Sequence, residues 1–343
     1  MNELKMIKVL GEGGNSTAFL VKRISDGKLL TYKRAKMNDG EADVHSIKSF
    51  ENEARILNSL EHNAIPKFYG KRDEGILLEY FDGVSLENRL FSVGAFSEKE
   101  ASGIALELAE ILRYLHGRRE PVIYRDLKPA NIVLREDGHI ALIDFGAARI
   151  YRGGDKRDTI NLGTYGFAAP EQFGNLGQTD PRTDIYCFGM TILQLISGVD
   201  IKDADAVQRF RQNGVSGVSD EFMQIIEKCI RPDREDRFRS AREIQRAIML
   251  YPKLVRKRKA RSVVRLAVVA AAAAAVLSAG IIQFDTVVAY AASDMEVRLP
   301  AMQQRLYNTK IWIEENYDNF CIYIRDNLYR IGGDPGNRGT SDI

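Results

Sequence analysis

Short apolar runs separated by turns dominate residues 4–90. The runs in which β-strands are predicted are Ile7–Leu10, Ala18–Val21 and Leu29–Lys33. Between the last two, Asp26–Gly27 is typical of a hairpin turn. From Ser97 onward, apolar residues recur at the spacing of an α-helix. The members of this stripe are Ile104, Leu108, Ile111, Leu112 and Leu115. The pattern therefore predicts a β-rich segment followed by a helical one.

Two helices are predicted more specifically. Phe50–Leu60 carries apolar residues at helical spacing inside the otherwise β-rich segment. Ser97 followed by Glu100 is the sequence signature of a capping box, so the helix with the apolar stripe is expected to begin there.

A third pattern is an uncharged apolar run, Leu266–Phe284, which is long enough to cross a bilayer as a helix. The run is rich in alanine, so a soluble helix is the alternative. Basic residues crowd its N-terminal flank, whereas the first one on the other side is Arg298. These flanking residues are Lys253, Arg256, Lys257, Arg258, Lys259, Arg261 and Arg265. The asymmetry favours a single-pass membrane helix with the preceding part in the cytoplasm and the C-terminal tail outside.

Composition limits the function classes. With 343 residues and 45% hydrophobic residues, the chain is long enough for a substantial core. The net charge of +2 gives no indication of nucleic-acid binding. The three cysteines, Cys187, Cys229 and Cys321, lack metal-site spacing and predict no disulfide framework.

The candidate chemistry lies in a short polar loop, Tyr124–Asn131, between two apolar runs. A second apolar run, Ile140–Ile143, ends in Asp144-Phe145-Gly146. Two neighbouring loops thus offer a carboxylate base, a cation, an amide and a second carboxylate. Phosphoryl transfer from a metal-bound nucleotide requires these groups.

These loops, followed by Gly163-Thr164 and Ala169-Pro170-Glu171, resemble the eukaryotic-like protein kinases, and in particular the membrane-anchored Ser/Thr kinases of bacteria. The resemblance covers residues 4–250. It implies an α+β bilobal kinase fold, with a small β-rich N-lobe containing one main helix and a larger α-helical C-lobe. The boundaries expected are 1–252 for the kinase domain (N-lobe about 1–81, C-lobe about 82–252), 253–265 for a basic linker, 266–284 for the membrane helix and 285–343 for a tail that is helical and then disordered.

The resemblance also assigns roles to residues of the site. Asp126 would accept the hydroxyl proton, Lys128 would steady the γ-phosphoryl group, and Asn131 and Asp144 would hold Mg²⁺ or Mn²⁺. Lys33 would grip the ATP phosphates, with Glu53 as its ion-pair partner; Lys36 and Glu51 are the competing choices. The full set expected to bind ATP is Gly11, Glu12, Gly13, Gly14, Ala18, Lys33, Glu53, Leu78, Glu79, Phe81 and Val133, with Leu78 as gatekeeper.

Further residues are expected to regulate or support the site. Arg125 and Arg149 would clamp a phosphate on the activation loop, with Thr159 as the first candidate acceptor and Thr164 as the second. Alternatively, both arginines cap local structure. Thr164 would also bond to the catalytic Asp and Lys, as in Ser/Thr-specific kinases. The remaining structural residues are Glu171 paired with Arg237, and Asp184, which would brace the catalytic loop.

Three positions depart from the family pattern. Ser16 stands where a third glycine is usual, and Thr31 is a polar residue in the expected adenine site. Tyr124 replaces the usual histidine, but its ring can stack on the phenylalanine of Asp-Phe-Gly in the same way.

The expected function is transfer of the γ-phosphate of ATP to Ser and Thr hydroxyls of proteins, including the chain's own activation loop, in membrane-linked signalling. Self-association of two copies would allow this autophosphorylation in trans. The alternative is a pseudokinase scaffold that binds nucleotide and partners without transfer. A small-molecule kinase is disfavoured, because Gly163–Glu171 matches the platform on which the family holds a peptide.

Overall fold

The computed structural model describes residues 3–13, 16–38, 41–42, 44–152, 163–173, 178–294, 304, 307–312, 314–319 and 322. The chain divides into two compact units, Met1–Tyr251 and Pro252–Ile343.

The first unit begins with a β-rich part that contains one helix. Its elements are β1 (Leu4–Glu12), β2 (Ser16–Arg23), β3 (Leu29–Ala35), β4 (Met37–Asn38), β5 (Glu41–Ala42), α1 (Val44–Leu57), β6 (Phe68–Arg72) and β7 (Gly75–Glu79). Five of the strands form an antiparallel sheet in the order β1-β2-β3-β7-β6. In this sheet Lys33 of β3 lies between Ala18 of β2 and Ile76 of β7. The register thus places the one buried lysine of the sheet at its centre.

Helix α1 differs from the helix predicted at Phe50–Leu60. It begins earlier, at Val44, and ends at Leu57. Phe50, Ala54 and Leu57 are buried, and Val44 and Ile47 continue their spacing towards the N-terminus. The observed start at Val44 therefore follows the same apolar spacing, and the prediction placed the start of the helix too late. The end is a tight turn in which the Leu60 N–H donates to Leu57 O (3.1 Å).

The rest of the first unit is mainly helical. Its elements are β8 (Gly83–Ser85), α2 (Leu86–Val93), α3 (Glu98–His116), β9 (Val122–Ile123), β10 (Ile132–Arg135), β11 (Ile140–Leu142), β12 (Arg149–Ile150), α4 (Pro181–Ser197), α5 (Ala204–Asn213) and α6 (Asp220–Cys229). The small strands pair as β11-β10-β8 and β12-β9. Together with the sheet of the N-terminal part, this confirms the predicted kinase fold class.

Helices α3 and α4 form the core below the sheet. Ser97 caps α3 with the predicted capping box, and the whole apolar stripe of α3 is buried. Helix α4 starts at the N-cap Asp180 and ends at Gly198 with φ 70°, a left-handed conformation that glycine adopts without a steric cost. The two helices pack on each other and hold the strands that carry the polar loop.

Helix α7 (Ala241–Asp294) includes the uncharged run 266–284. Within the part of the chain that the structure describes, it is the one helix long and apolar enough to cross a membrane, by length and composition alone. Its first turns carry Ala241, Ile244 and Ile248, which are buried in the first unit. In the tail, residues 307–312 and 314–319 are helical.

Candidate active site

Lys33 joins the β-rich part of the first unit to the loop that follows β11. Its Nζ lies 2.8 Å from Glu53 Oε2 and 2.6 Å from Asp144 Oδ1. The other oxygen of Glu53 accepts the Phe145 N–H (3.0 Å). Glu53 is fully buried on α1, so its carboxylate ties the helix, the strand and the Asp-Phe-Gly loop together. The structure thus brings Lys33 to Glu53, the partner predicted for it.

A second cluster surrounds Asp126. Its Oδ1 accepts a hydrogen bond from the Thr164 hydroxyl (2.7 Å), and the Lys128 ammonium lies 2.9 Å from its Oδ2. Lys128 also donates to the Thr164 Oγ1 (2.7 Å). The Asn131 Nδ2 donates to Oδ2 and to the backbone O of Asp126 (3.0 and 2.8 Å). Residues from the polar loop and from the Gly163–Glu171 segment therefore meet at one carboxylate.

Asp184 holds the backbone of the polar loop from below. This fully buried carboxylate accepts the Tyr124 N–H (2.8 Å) and the Arg125 N–H (2.7 Å). Arg125 has φ 69° and Asp144 has φ 61°. Non-glycine residues rarely adopt this left-handed conformation, and it persists only where surrounding contacts determine it. At Arg125 those contacts include the Asp184 carboxylate.

Electrostatics favour the charged forms of Lys33 and Asp144. Burial opposes the charge of Lys33, but Glu53 and Asp144 outweigh it and raise the lysine pKa. Burial would raise the pKa of Asp144, and the attraction to Lys33 overcomes this and lowers it. Burial raises the pKa of Glu53, with Lys33 as the main opposing influence. A permanent ammonium beside an ionised Asp144 is an arrangement suited to negatively charged phosphates and a metal ion.

The residues expected around the adenine come from both the β-rich part and the mainly helical part of the first unit. Leu78 and Val133 are buried, on β7 and β10. The Glu79 N–H donates to Lys67 O (2.8 Å), so of the two backbone groups of Glu79 only the carbonyl is a candidate for the adenine edge. Phe81 is half-buried beneath the Arg135 guanidinium.

The glycine-rich turn between β1 and β2 is only partly described. Gly11 and Glu12 pair across the hairpin with Ala18 and Thr17, and the Gly13 N–H donates to Ser16 O (2.8 Å). Gly14 lies outside the described residues. The backbone bond at Gly13 is thus made to Ser16, the residue that stands at the position of the third glycine of the family pattern.

Tyr124 packs as expected. Its ring meets that of Phe145 edge-on, with 5.0 Å between centroids, and its hydroxyl donates to Ile143 O. The burial of this ring leaves it with a packing role next to the loop that carries Asp144.

Arg125 and Arg149 are the two arginines predicted to clamp a phosphate on the activation loop or, alternatively, to cap local structure. Arg125 Nε donates to Ala147 O (2.7 Å), and Arg149 on β12 pairs with Ile123 on β9. Both arginines thus lie where the polar loop meets the start of the activation segment. Thr159 lies outside the described residues.

Glu171 and Arg237 form a buried two-fold ion pair. The guanidinium nitrogens lie 2.7 and 2.9 Å from the two carboxylate oxygens. Thr183 Oγ1 also donates to Glu171 (2.9 Å). This pair anchors the end of the Gly163–Glu171 segment against the loop before α7.

Three further contacts of the site come from residues for which no role was predicted. Ser49 and Asn52 of α1 donate to Gly146 O (3.2 Å) and Ala148 O (2.8 Å). His116, at the end of α3, lies 2.8 Å from Asp184 through its Nε2. The adjacency of Asn52 to Glu53 was a signal for the contact of Asn52, whereas the sequence has none for His116.

The residues predicted to bind metal fit a divalent cation. Because the Asn131 amide nitrogen faces Asp126, its Oδ1 is the atom that can bind a cation. The Asp144 carboxylate is about half exposed in the cleft (45%). No group of three or more His, Cys, Asp or Glu suited to a metal occurs among the described residues. Two oxygen ligands suit Mg²⁺ or Mn²⁺ if nucleotide phosphates and water supply the others.

Residues 4–248 match the family model of the protein kinase domain, and the chain therefore belongs to that family. It is 33% identical over 270 residues to serine/threonine-protein kinase D of Synechocystis, covering 72% of this chain and 52% of that protein. It is 28% identical over 274 residues to serine/threonine-protein kinase PknA of Nostoc, covering 73% of this chain and 47% of that protein. The chain spans about half the length of these curated relatives.

Proposed function

We propose that this protein transfers the γ-phosphoryl group of ATP to Ser and Thr hydroxyls of proteins. The observation that carries the proposal is the Thr164 hydroxyl, which bonds to both Asp126 and Lys128 at 2.7 Å. This hydroxyl links the start of the Gly163–Glu171 segment to a carboxylate and a cation, which supports a peptide platform at this point. Both relatives described above are named serine/threonine-protein kinases, which supports the same substrate class.

Each group near Asp126 has a role in this reaction. The Asp126 carboxylate accepts the proton of the attacking hydroxyl, within a cluster that fixes both of its oxygens. Lys128 offsets the negative charge that develops on the transferred group. Lys33 orients the phosphates while Glu53 holds its ammonium in place. Asn131 and Asp144 would hold Mg²⁺, which when bound neutralises phosphate charge.

Autophosphorylation is part of the proposal. Thr164 would have to leave two hydrogen bonds to accept a phosphoryl group, which favours Thr159 as the acceptor. A phosphate brings about −2 of charge and three acceptor oxygens. Arg125 and Arg149 lie next to the start of the activation segment, where such a phosphate could order it. Self-association of two copies would bring one chain's Thr159 to the other's Asp126.

The test uses the full chain with Mg-ATP and labelled phosphate, followed by mapping of phosphorylated residues by mass spectrometry. Asp126→Asn and Asp144→Asn should each abolish transfer to the chain itself and to a generic protein substrate. Asp26→Asn is the control, because Asp26 pairs with Arg23 in an exposed hairpin turn between β2 and β3. Transfer that survives in either site variant would refute the proposal. Nucleotide binding without transfer in the unmodified protein would instead indicate a scaffold.

We also propose that residues 266–284 anchor the kinase domain to the cytoplasmic face of the membrane. The uncharged helix and the basic flank support this topology. In spheroplasts, an external protease should cleave within 285–343 and leave residues 1–252 intact. Extraction of the whole protein by alkaline carbonate, without detergent, would contradict the anchor.

A further inference from the structure

Gln172 follows Glu171 at the end of a 3₁₀ turn, Pro170–Gln172, and is 5% exposed. Its Nε2 donates to the backbone O of Arg125 (2.8 Å). Its Oε1 accepts the Ala169 N–H (2.9 Å) and lies 3.4 Å from the Cys187 Sγ. One buried amide therefore connects the platform segment, the polar loop and helix α4.

The neighbours determine which way the amide points. The Ala169 N–H can only donate, so it requires the oxygen of Gln172, and the Arg125 carbonyl can only accept, so it requires the nitrogen. Cys187 adds a second donor on the oxygen side: burial raises the pKa of its thiol well above the usual value, which keeps it protonated. The side chain is thus a directional link and not merely a filler of space.

Arg125 is the residue on which this link acts. Its φ of 69° is a conformation that must be maintained from outside. The Asp184 carboxylate holds its N–H (2.7 Å), and Gln172 holds its carbonyl. The next residue along the chain is Asp126, so the two contacts fix the peptide from which Asp126 projects.

We infer that Gln172 is a positioning residue for Asp126, which it aligns by donating a hydrogen bond to the Arg125 carbonyl from the platform segment. The inference rests on the phosphoryl transfer proposed above. It also means that a single amide fixes the position of the substrate platform relative to the loop that carries the base.

Gln172→Glu tests the donor specifically, because it keeps the size of the side chain and an oxygen for Ala169. At low pH the protonated carboxyl can still donate to Arg125 O. At high pH a carboxylate oxygen faces the carbonyl oxygen, and the two repel. A role in packing alone would not follow this titration. The other ionisable groups near the amide are Cys187, Asp184 and the Glu171–Arg237 pair; they are common to both proteins, so their effects cancel in a ratio.

The experiment measures kcat and the KM for ATP of the full chain at several pH values between about 6 and 9, as ratios of variant to unmodified protein. The kcat ratio of Gln172→Glu should fall about tenfold or more across this range, since small displacements of catalytic groups cost this much, while the KM ratio stays constant. Gln178→Glu is the matched control: Gln178 also donates to a backbone carbonyl, that of Arg152 (3.2 Å), at an exposed position. Its ratios should not change with pH.

A kcat ratio close to one at every pH for Gln172→Glu would overturn the inference. If this variant fails to fold at high pH, Gln172→Met replaces it, and there a kcat equal to that of the unmodified protein would overturn the inference. An inactive unmodified protein would instead refute the proposed function, so the two failures are distinguishable.

Discussion

Arg237 should be among the residues on which the stability of the catalytic unit depends most. Its guanidinium is fully buried and has five N–H donors. Two point to Glu171, and the others to the backbone carbonyls of Arg231 (2.7 Å), Arg182 (3.0 Å) and Pro232 (2.9 Å). Every donor has a partner, and three of the partners belong to the backbone of one turn and one helix. The residue therefore holds the platform, α4 and the turn before α7 at once.

The cost of changing Arg237 can be worked from these contacts. Arg237→Lys has three donors for five acceptors, so at least two buried acceptors lose a partner at about 1–3 kcal/mol each, or about 2–6 kcal/mol in total. Arg237→Met leaves Glu171 without its cation, and breaking a buried pair in this way costs about 3–5 kcal/mol. For a unit of this size, about 1 kcal/mol lowers the unfolding midpoint by about 2–4 °C. Arg237→Met should thus lower it by about 6–20 °C.

Calorimetry is the appropriate assay, because the chain's one tryptophan, Trp312, belongs to the second compact unit and cannot report on the first. The decisive measurement is a double-mutant cycle with Glu171→Gln. In the double variant neither charge remains buried alone, so its loss should be smaller than the sum of the single losses by more than about 1 kcal/mol. Additive losses, or an unchanged midpoint in Arg237→Met, would refute this account of the pair.

Two further predictions concern the site itself. Lys33→Met removes the main influence that lowers the pKa of the buried Glu53, so Glu53 should take up a proton in the folded variant. A raised carboxyl pKa lowers stability as pH rises, so the loss of unfolding midpoint relative to the unmodified protein should grow from about pH 5 to pH 8. A loss that calorimetry finds to be the same at every pH would contradict this. Thr164→Val should lower kcat about tenfold or more by removing the hydroxyl between Asp126 and Lys128. Thr164→Ser retains the hydroxyl and should retain most of the kcat. Equal kcat values for the two variants in a peptide phosphorylation assay would contradict the role of the hydroxyl.

Local patterns predicted the elements well where burial and periodicity coincide. The α3 stripe and its capping box are examples, because both depend on residues within one helix. The start of α1 was predicted too late, at Phe50, although Val44 and Ile47 lie at the same helical spacing; Ile47 is exposed, so this end of the stripe lies outside the core. Strand β12 is only two residues long and depends on its pairing with β9, which no local pattern can indicate.

In the site, too, local patterns could predict the grouping of residues close in sequence, but not the contacts between distant residues. Asp126, Lys128 and Asn131 are close in sequence, and their joint chemistry could be recognised from spacing alone. The contact between Lys33 and Asp144 joins residues 111 positions apart; the resemblance to known kinases assigned both residues to one site but did not predict their contact. Gln172 shows what remains hidden: its amide acts on a carbonyl 47 positions away, and it acquires a direction only because Ala169 and Cys187 meet its other end. A hydrogen-bonding side chain beside a recognised motif is uninformative until the fold shows which acceptor it serves, and here that acceptor belongs to the peptide that carries the base.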